Sequence, residues 1–219
     1  MLTINVITIF PEFFSSPLGV SIPTRAKDAG AVEYNVMDLR DFTHDKHRTV
    51  DDAPYGGGAG MVMKPGPFFE AVESLATPGP IVLMSARGRQ FSQADANRFS
   101  EMSEFTLLCG HYKDVDQRVA DFLATEEISL GGFVMTGGEP AALAIIDATV
   151  RLLPGAMSDL DSARSDSFYD RGLSAPSYTR PPEFRGHGVP VVLLSGDHKK
   201  IADWREAEGR RMTEARARS

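Results

Sequence analysis

Apolar and polar positions change period several times along this chain, and each change marks an element. Leu2 to Phe10 carries the β-branched and aromatic residues of a buried strand, and Pro11 stops it. Ile22 to Ala29 predicts a short helix ended by Gly30, and Val32 to Leu39 a second strand. From Arg40 to Gly60 the period is lost. DFTHDKHRTVDDAPYGGGAG is a long polar loop, and such loops inside compact domains are usually functional or disordered. Periodicity resumes with a helix over Pro67 to Leu75, then a short apolar run, Ile81 to Met84, followed at once by the polar SARGRQ. Ser92 to Glu101 predicts a helix with Ser92 as cap and Asp95 three residues on. Phe105 to Cys109 reads as a strand, Asp116 to Leu123 as a helix and Glu127 to Leu130 as a strand. Glu139-Pro140 then opens an apolar helical pattern reaching Leu153.

Strands alternating with helices of about ten residues predict an α/β layer structure with a mainly parallel sheet. In such sheets ligands lie outside the carboxyl ends of the strands. Three of those ends carry small or polar residues: Ser85-Ala86, Gly110 and Gly131-Gly132. They line one crevice if their strands are neighbours. Beyond Leu153, Ala156 to Gly172 is polar and aperiodic, as a flexible linker is. Ser177 to Phe184 (SYTRPPEF) is extended and proline-restricted, VPVVLLSGDH predicts a short strand and turn, and Asp197 to Arg218 predicts a helix anchored by Trp204. No internal repeat is visible.

Bulk chemistry narrows the function classes. Hydrophobic content of 42% and charged content of 24% are those of a soluble globular protein. No run approaches the roughly 18 apolar residues of a membrane helix. The first residues show neither a basic leader nor a small-residue cleavage site, so no signal peptide is expected. Cys109, the single cysteine, rules out an internal disulfide and fits a reducing compartment; within FTLLCG it reads as a buried strand thiol. The net charge of −7 speaks against unspecific nucleic-acid binding and leaves room for a local basic surface. Basic residues gather at Lys46, His47 and Arg48, at Arg180 and Arg185, and along Lys199 to Arg218, the last group reading as a solvated helix face.

Two glycine pairs, Gly131-Gly132 and Gly137-Gly138, bracket Phe133-Val134-Met135. Neither this stretch nor GGGAGMVMKP ends in the Gly-Lys-Ser/Thr of a P-loop or matches GxGxxG, so a pyrophosphate grip is not expected. What remains is a phosphate-free ligand such as an adenosine and a thioether, or a tight turn with no ligand. HDKH, with Asp51 and Asp52 behind it, matches no strong zinc spacing. A polar loop that touches a polyanion, or folds on itself, is the alternative to a metal site there.

Taken together the motifs resemble one family, the bacterial tRNA (guanine-N1)-methyltransferases of the trefoil-knot (SPOUT) class. The resemblance runs through TIFPEFF at Thr8 to Phe14, DFTHDKHRTVDDAPYGGGAGM at Asp41 to Met61 and LLCGHYKDVDQRV at Leu107 to Val119. It continues through the Ile128 to Leu153 stretch and ends in DSFYDRGL and SYTRP between Asp166 and Pro181. It implies an α/β fold, mainly a parallel sheet with helices on both faces, whose strands from Ile81 to the helix at Glu139 form a trefoil knot. It also implies a knotted domain at 1–157, an interdomain linker at 158–172 and a small, mostly helical tRNA-binding domain at 173–219. The cofactor would be S-adenosyl-L-methionine, with Mg2+ admitted beside it. Family cofactor positions fall on Met84, Ser85, Gly110, Tyr112, Leu130, Gly131, Gly132, Phe133, Val134, Met135, Gly137 and Gly138.

The implied reaction is methylation of guanine N1 at tRNA position 37, beside the anticodon, by a cytoplasmic homodimer with its active site at the subunit interface. Guanine N1 carries a proton at neutral pH, so the reaction needs a base to remove it and a cation where charge develops on O6. Family catalytic positions fall on Asp166, the base, and Arg151, the O6 partner. Because Arg151 closes the helix that starts at Glu139, that helix is expected to bring it near the cofactor. His47, Arg48, Asp51, Tyr55, Thr179 and Arg180 are the implied tRNA-handling residues. The chain departs from the family at Lys113-Asp114, where relatives often carry Glu-Gly, and at Ala86, where they carry proline. Its C-terminal region is also shorter than in many relatives, implying a reduced grip on tRNA. The alternatives are a knotted methyltransferase acting on another RNA, a binding module that lost catalysis through Lys113, and, more remotely, a metal-dependent hydrolase built on the HDKH loop. The presence of both Asp166 and Arg151 argues for an active enzyme.

Overall fold

Five strands form the central sheet: β1 (Leu2–Thr8), β2 (Val32–Asp38), β5 (Ile81–Gln90), β6 (Glu104–Cys109) and β8 (Glu126–Ser129). Their order is β2-β1-β6-β5-β8 and every pairing is parallel, in registers such as Leu2 with Val32, Val6 with Leu107, Leu83 with Leu108 and Met84 with Ile128. The computed structural model describes residues 1–157, 166–169 and 172–218. By internal contacts the chain divides into two compact units, Met1–Ser158 and Asp159–Ser219.

The mainly parallel α/β architecture is as the alternating pattern predicts. Parallel strands need crossovers and are covered on both faces, so they read as continuous apolar runs. Successive side chains leave opposite faces of the sheet. Leu107 and Cys109 accordingly join a core with Phe99, Ile145 and Ile146, while Leu108 between them joins a second core with Phe68, Val72 and Val119. Helices α2 (Ser21–Asp28), α4 (Gln93–Ser100) and α6 (Glu139–Val150) supply the first face, and α3 (Pro65–Glu73) and α5 (Gln117–Phe122) the second. Cys109 is fully buried; burial first, and the nearby Glu139 carboxylate second, push its thiol up.

Two expectations for this unit need correction. Strand β5 does not end at Met84. Met84 and Arg89 both oppose Ile128, so Ser85 to Gly88 forms a bulge and the strand resumes at Arg89-Gln90. Gly88 permits this, because a Cβ there would lie 2.5 Å from the Glu127 carbonyl carbon. The Arg40–Gly60 loop is not structureless either. Leu39–Phe42 is a 3-10 turn, and Asp51–Asp52 (β3) pairs with Val62–Met63 (β4), which pairs with Asp114–Val115 (β7). Fully buried Val50 anchors the segment. Apolar residues this widely spaced in a polar run, Phe42 and Val50, carry no period, so the pattern does not reveal them.

In the second unit a hairpin of β9 (Glu183–Phe184) and β10 (His187–Gly188) turns through Arg185 and Gly186, both at positive φ. Val191–Leu194 is a short helix (α7), not the expected strand. Pro190 starts it by accepting from Leu193 N–H at 2.9 Å, and among the described residues β-branched Val191 and Val192 pair with no strand. The last helix, α8 (His198–Ala217), is capped by Asp197, which accepts from Lys200 N–H. Trp204 stacks obliquely near Tyr178, with ring centroids 6.5 Å apart. A close approach falls at Gly209, where a Cβ would stand 2.7 Å from the Leu173 carbonyl oxygen. Most of the expected linker lies outside the described residues.

Candidate active site

The carboxyl ends of β6, β5 and β8 are adjacent, and a crevice of about 170 Å³ opens there. Of the expected cofactor positions, Met84, Ser85, Gly110, Tyr112, Leu130, Phe133, Val134, Met135, Gly137 and Gly138 line it; Gly131 and Gly132 do not. One wall, following β8, is apolar: Leu130, Phe133, Val134 and Met135. The other, built from the β5 bulge and the segment after β6, carries Ser85, Arg87, His111, Lys113 and Asp114.

The second glycine pair is demanded by backbone packing. Gly138 N–H donates to the Gly110 carbonyl at 2.8 Å, and His111 and Gly137 form an isolated bridge. A Cβ on Gly138 would lie 2.8 Å from Met84 Cβ and 2.9 Å from Cys109 Cα. Around Gly132 there is nothing within 4 Å. Tyr112 lies at φ 62, a left-handed conformation that costs a non-glycine residue on the order of 1 kcal/mol or more. Strain of this kind persists where its surroundings hold it, and here Lys113 N–H is tied to the Met61 carbonyl at 3.0 Å.

Beneath the crevice lies a buried polar cluster that sequence reading did not single out. Glu139, only 2% exposed, accepts from Thr8 Oγ1 at 2.7 Å. Its second oxygen lies 3.7 Å from His111 Nδ1, a buried atom with no hydrogen-bond partner among the described residues. The signal in the sequence is a carboxylate before the apolar AALAII run, which by itself indicates no more than a helix-dipole partner. Arg87, in the polar SARGRQ after the apolar run, is a further residue of the crevice that the sequence pattern does not single out.

Arg151 caps the C-terminal end of α6 and is half-buried. At 1.5 Å rise per residue, the twelve residues from Glu139 hold it about 18 Å from the helix start. α6 thus begins at the crevice, where Gly138 and Ala141 line it, and ends at Arg151. Asp166 is exposed and lines a groove of about 1550 Å³ within the second unit, together with Thr179, Arg180, Arg205 and Arg210. His47, Arg48, Asp51 and Tyr55 lie on the first unit. His47 and Tyr55 are exposed, and Asp51 pairs with Met63 in the small sheet. Arg48 is engaged locally, contacting Asp41 and donating through Nε to the Arg40 carbonyl at 3.2 Å. His44 pairs with Glu70 at 2.7 Å. Among the described residues no group of three or more His, Cys, Asp or Glu side chains is arranged to hold a metal ion.

A crevice at the carboxyl ends of adjacent parallel strands, with one apolar and one charged wall, is the layout of an α/β enzyme for a small amphipathic ligand. A model of the tRNA (guanine-1)-methyltransferase TrmD family matches residues 2–219, and the chain belongs to that family. It is an enzyme, a methyltransferase of tRNA guanine N1. Similar curated proteins, each named tRNA (guanine-N(1)-)-methyltransferase, come from Dehalococcoides mccartyi strain 195, Synechococcus sp. strain JA-3-3Ab and Geobacillus kaustophilus. The first is 50% identical, covering 96% of this chain and 86% of the relative. The second is 52% identical over 92% and 80%, and the third 46% identical over 96% and 87%.

Proposed function

We propose that the chain uses S-adenosyl-L-methionine, held in the β6-β5-β8 crevice, to methylate N1 of the guanine at tRNA position 37, beside the anticodon. The observation that carries this reading is the crevice itself. Ten of the twelve residues expected to hold the cofactor converge on it, with an apolar wall for the adenosine and a charged wall for the amino-acid end. At about 170 Å³ it is smaller than the roughly 300–1,000 Å³ of most small-molecule sites. Phe133 and Val134 on its apolar wall are 56% and 87% exposed.

Bound there, S-adenosyl-L-methionine supplies a methyl group already activated by a sulfonium charge. The protein's task is the guanine. The Asp166 carboxylate takes the N1 proton, which frees the lone pair that forms the new N–C bond as the C–S bond breaks. The Arg151 guanidinium stabilises the negative charge gathering on O6. No residue is assigned to Mg2+.

Both groups act on the crevice of a second copy in this reading. Within one chain α6 holds Arg151 about 18 Å from Glu139. Among its described residues the second unit contributes no buried hydrophobic side chain, so it lacks a core of its own and gains from a covering partner. A homodimer with its active sites at the interface answers both facts. The family's trefoil knot then spans Ile81 to the start of α6, the division is 1–157, 158–172 and 173–219, and the last part grips tRNA. Residues 159–219 carry eleven Lys and Arg against ten Asp and Glu, so the acidic excess rests on the first unit. No described helix is long and apolar enough to cross a membrane, and tRNA as substrate locates the work in the cytoplasm.

The test is incubation with methyl-labelled S-adenosyl-L-methionine and tRNA transcripts carrying guanine or adenine at position 37. Label in the guanine transcript alone is expected, and label in neither rejects the reading. Asp166→Ala should abolish transfer while leaving cofactor affinity unchanged; near-normal turnover by that variant removes Asp166 from the base role.

A further inference from the structure

We propose that the Arg87–Asp114 ion pair reads the amino-acid end of the methyl donor, Arg87 taking its carboxylate and Asp114 its ammonium group. This rests on the crevice being the donor site. The two side chains come from different elements, Arg87 from the β5 bulge and Asp114 from β7, and meet at 3.0 Å on the charged wall. Each is held in place. Asp114 Oδ1 accepts from Val115 N–H at 2.8 Å, and β7 is paired to β4; the Arg87 N–H donates to Ser85 Oγ at 3.2 Å.

The pair is about half exposed on both sides. An ion pair so exposed contributes only about 0–1 kcal/mol, so its members exchange partners at little cost. An α-amino acid end offers the matching exchange, one carboxylate and one ammonium, and a guanidinium fork suits a carboxylate. Placing that end here leaves the adenosine against Leu130 and Phe133 on the apolar wall. Lys113 does not compete for the role: its stem packs beneath Gly60, and its Nζ stands 3.5 Å from where a Cβ on Gly58 would be.

Two ligands that share the adenosine and thioether but differ in the amino-acid end provide the test: S-adenosylhomocysteine and 5′-methylthioadenosine, titrated calorimetrically into the full chain. The unaltered protein should bind the first more tightly. Arg87→Met and Asp114→Asn should each weaken S-adenosylhomocysteine roughly ten- to hundredfold and leave 5′-methylthioadenosine within about twofold. The double exchange Arg87→Asp with Asp114→Arg restores an ion pair but reverses its polarity, so a purely structural pair would be rescued and a reading pair would not. The proposal is overturned if the variants weaken both ligands alike or neither, if the exchange restores S-adenosylhomocysteine binding, or if the unaltered protein holds both ligands equally. An unaltered protein that binds neither ligand removes the donor-site reading, and this proposal with it.

Discussion

At the scale of residues, the two glycine pairs that look alike in the sequence do different work. Gly137-Gly138 lies where the loop is sewn to the end of β6, and Gly138 has backbone and Met84 within 3 Å of where its Cβ would be. Gly132 faces open space. Gly138→Ala should therefore cost about 1–3 kcal/mol, as overpacking does, whereas Gly132→Ala should stay within about 0.5 kcal/mol. Urea midpoints of the two variants check this; equal midpoints would show that the loop yields freely. Spacing marked both pairs as special and could not separate them, since the distinction depends on which strand end each meets. The same holds for Glu139 and His111, twenty-eight positions apart in the chain and 3.7 Å apart in the fold.

Among elements, β5 shows where a period-based reading stops. Its apolar half was legible; its polar half was not, because Arg89 stays in the sheet through partners on other elements. Arg89 contacts Asp95 of α4 at 2.6 Å and Glu126 of β8 at 2.5 Å, and Arg98 also reaches Glu126 at 2.6 Å. Burial pushes the Asp95 carboxyl up, but hydrogen bonds from Arg89 and from the Ser92 side chain and backbone outweigh it and hold it at about 2. An acid depressed in the folded state stabilises above its unfolded value of about 3.9 and loses that contribution as pH falls toward 2. Asp95→Asn should cost on the order of 2 kcal/mol at pH 7 and about half as much at pH 3. Urea unfolding across that range measures it, and a pH-independent gap would mean the network contributes packing alone. The capping box at Ser92 and Asp95, by contrast, was readable in advance and is formed, because its partners are three residues apart.

For the whole molecule, the decisive feature is the length of α6, whose rise sets Arg151 about 18 Å from the end that borders the crevice. If each active site combines one chain's crevice with the other chain's Arg151 and Asp166, two inactive variants should complement. Ser85→Arg, which blocks the crevice, and Asp166→Ala, which removes the base, should each be inactive as pure dimers. Co-refolded, they should form mixed dimers with one intact site, giving activity neither parent has. Silence from the mixture, with mixed dimers demonstrated, would place both functions in one chain. Local order was largely written in the sequence: the mainly parallel α/β sheet, the Ser92 cap, the buried thiol of Cys109 and the small residues at three strand ends follow from periodicity and residue chemistry, which act over a few positions. Tertiary structure alone decided that β6, β5 and β8 are neighbours, that Arg87 meets Asp114, and that Glu139 lies beside His111. Those outcomes depend on contacts between segments far apart in the chain, and neither hydrophobic period nor residue type encodes which distant segment will be the partner.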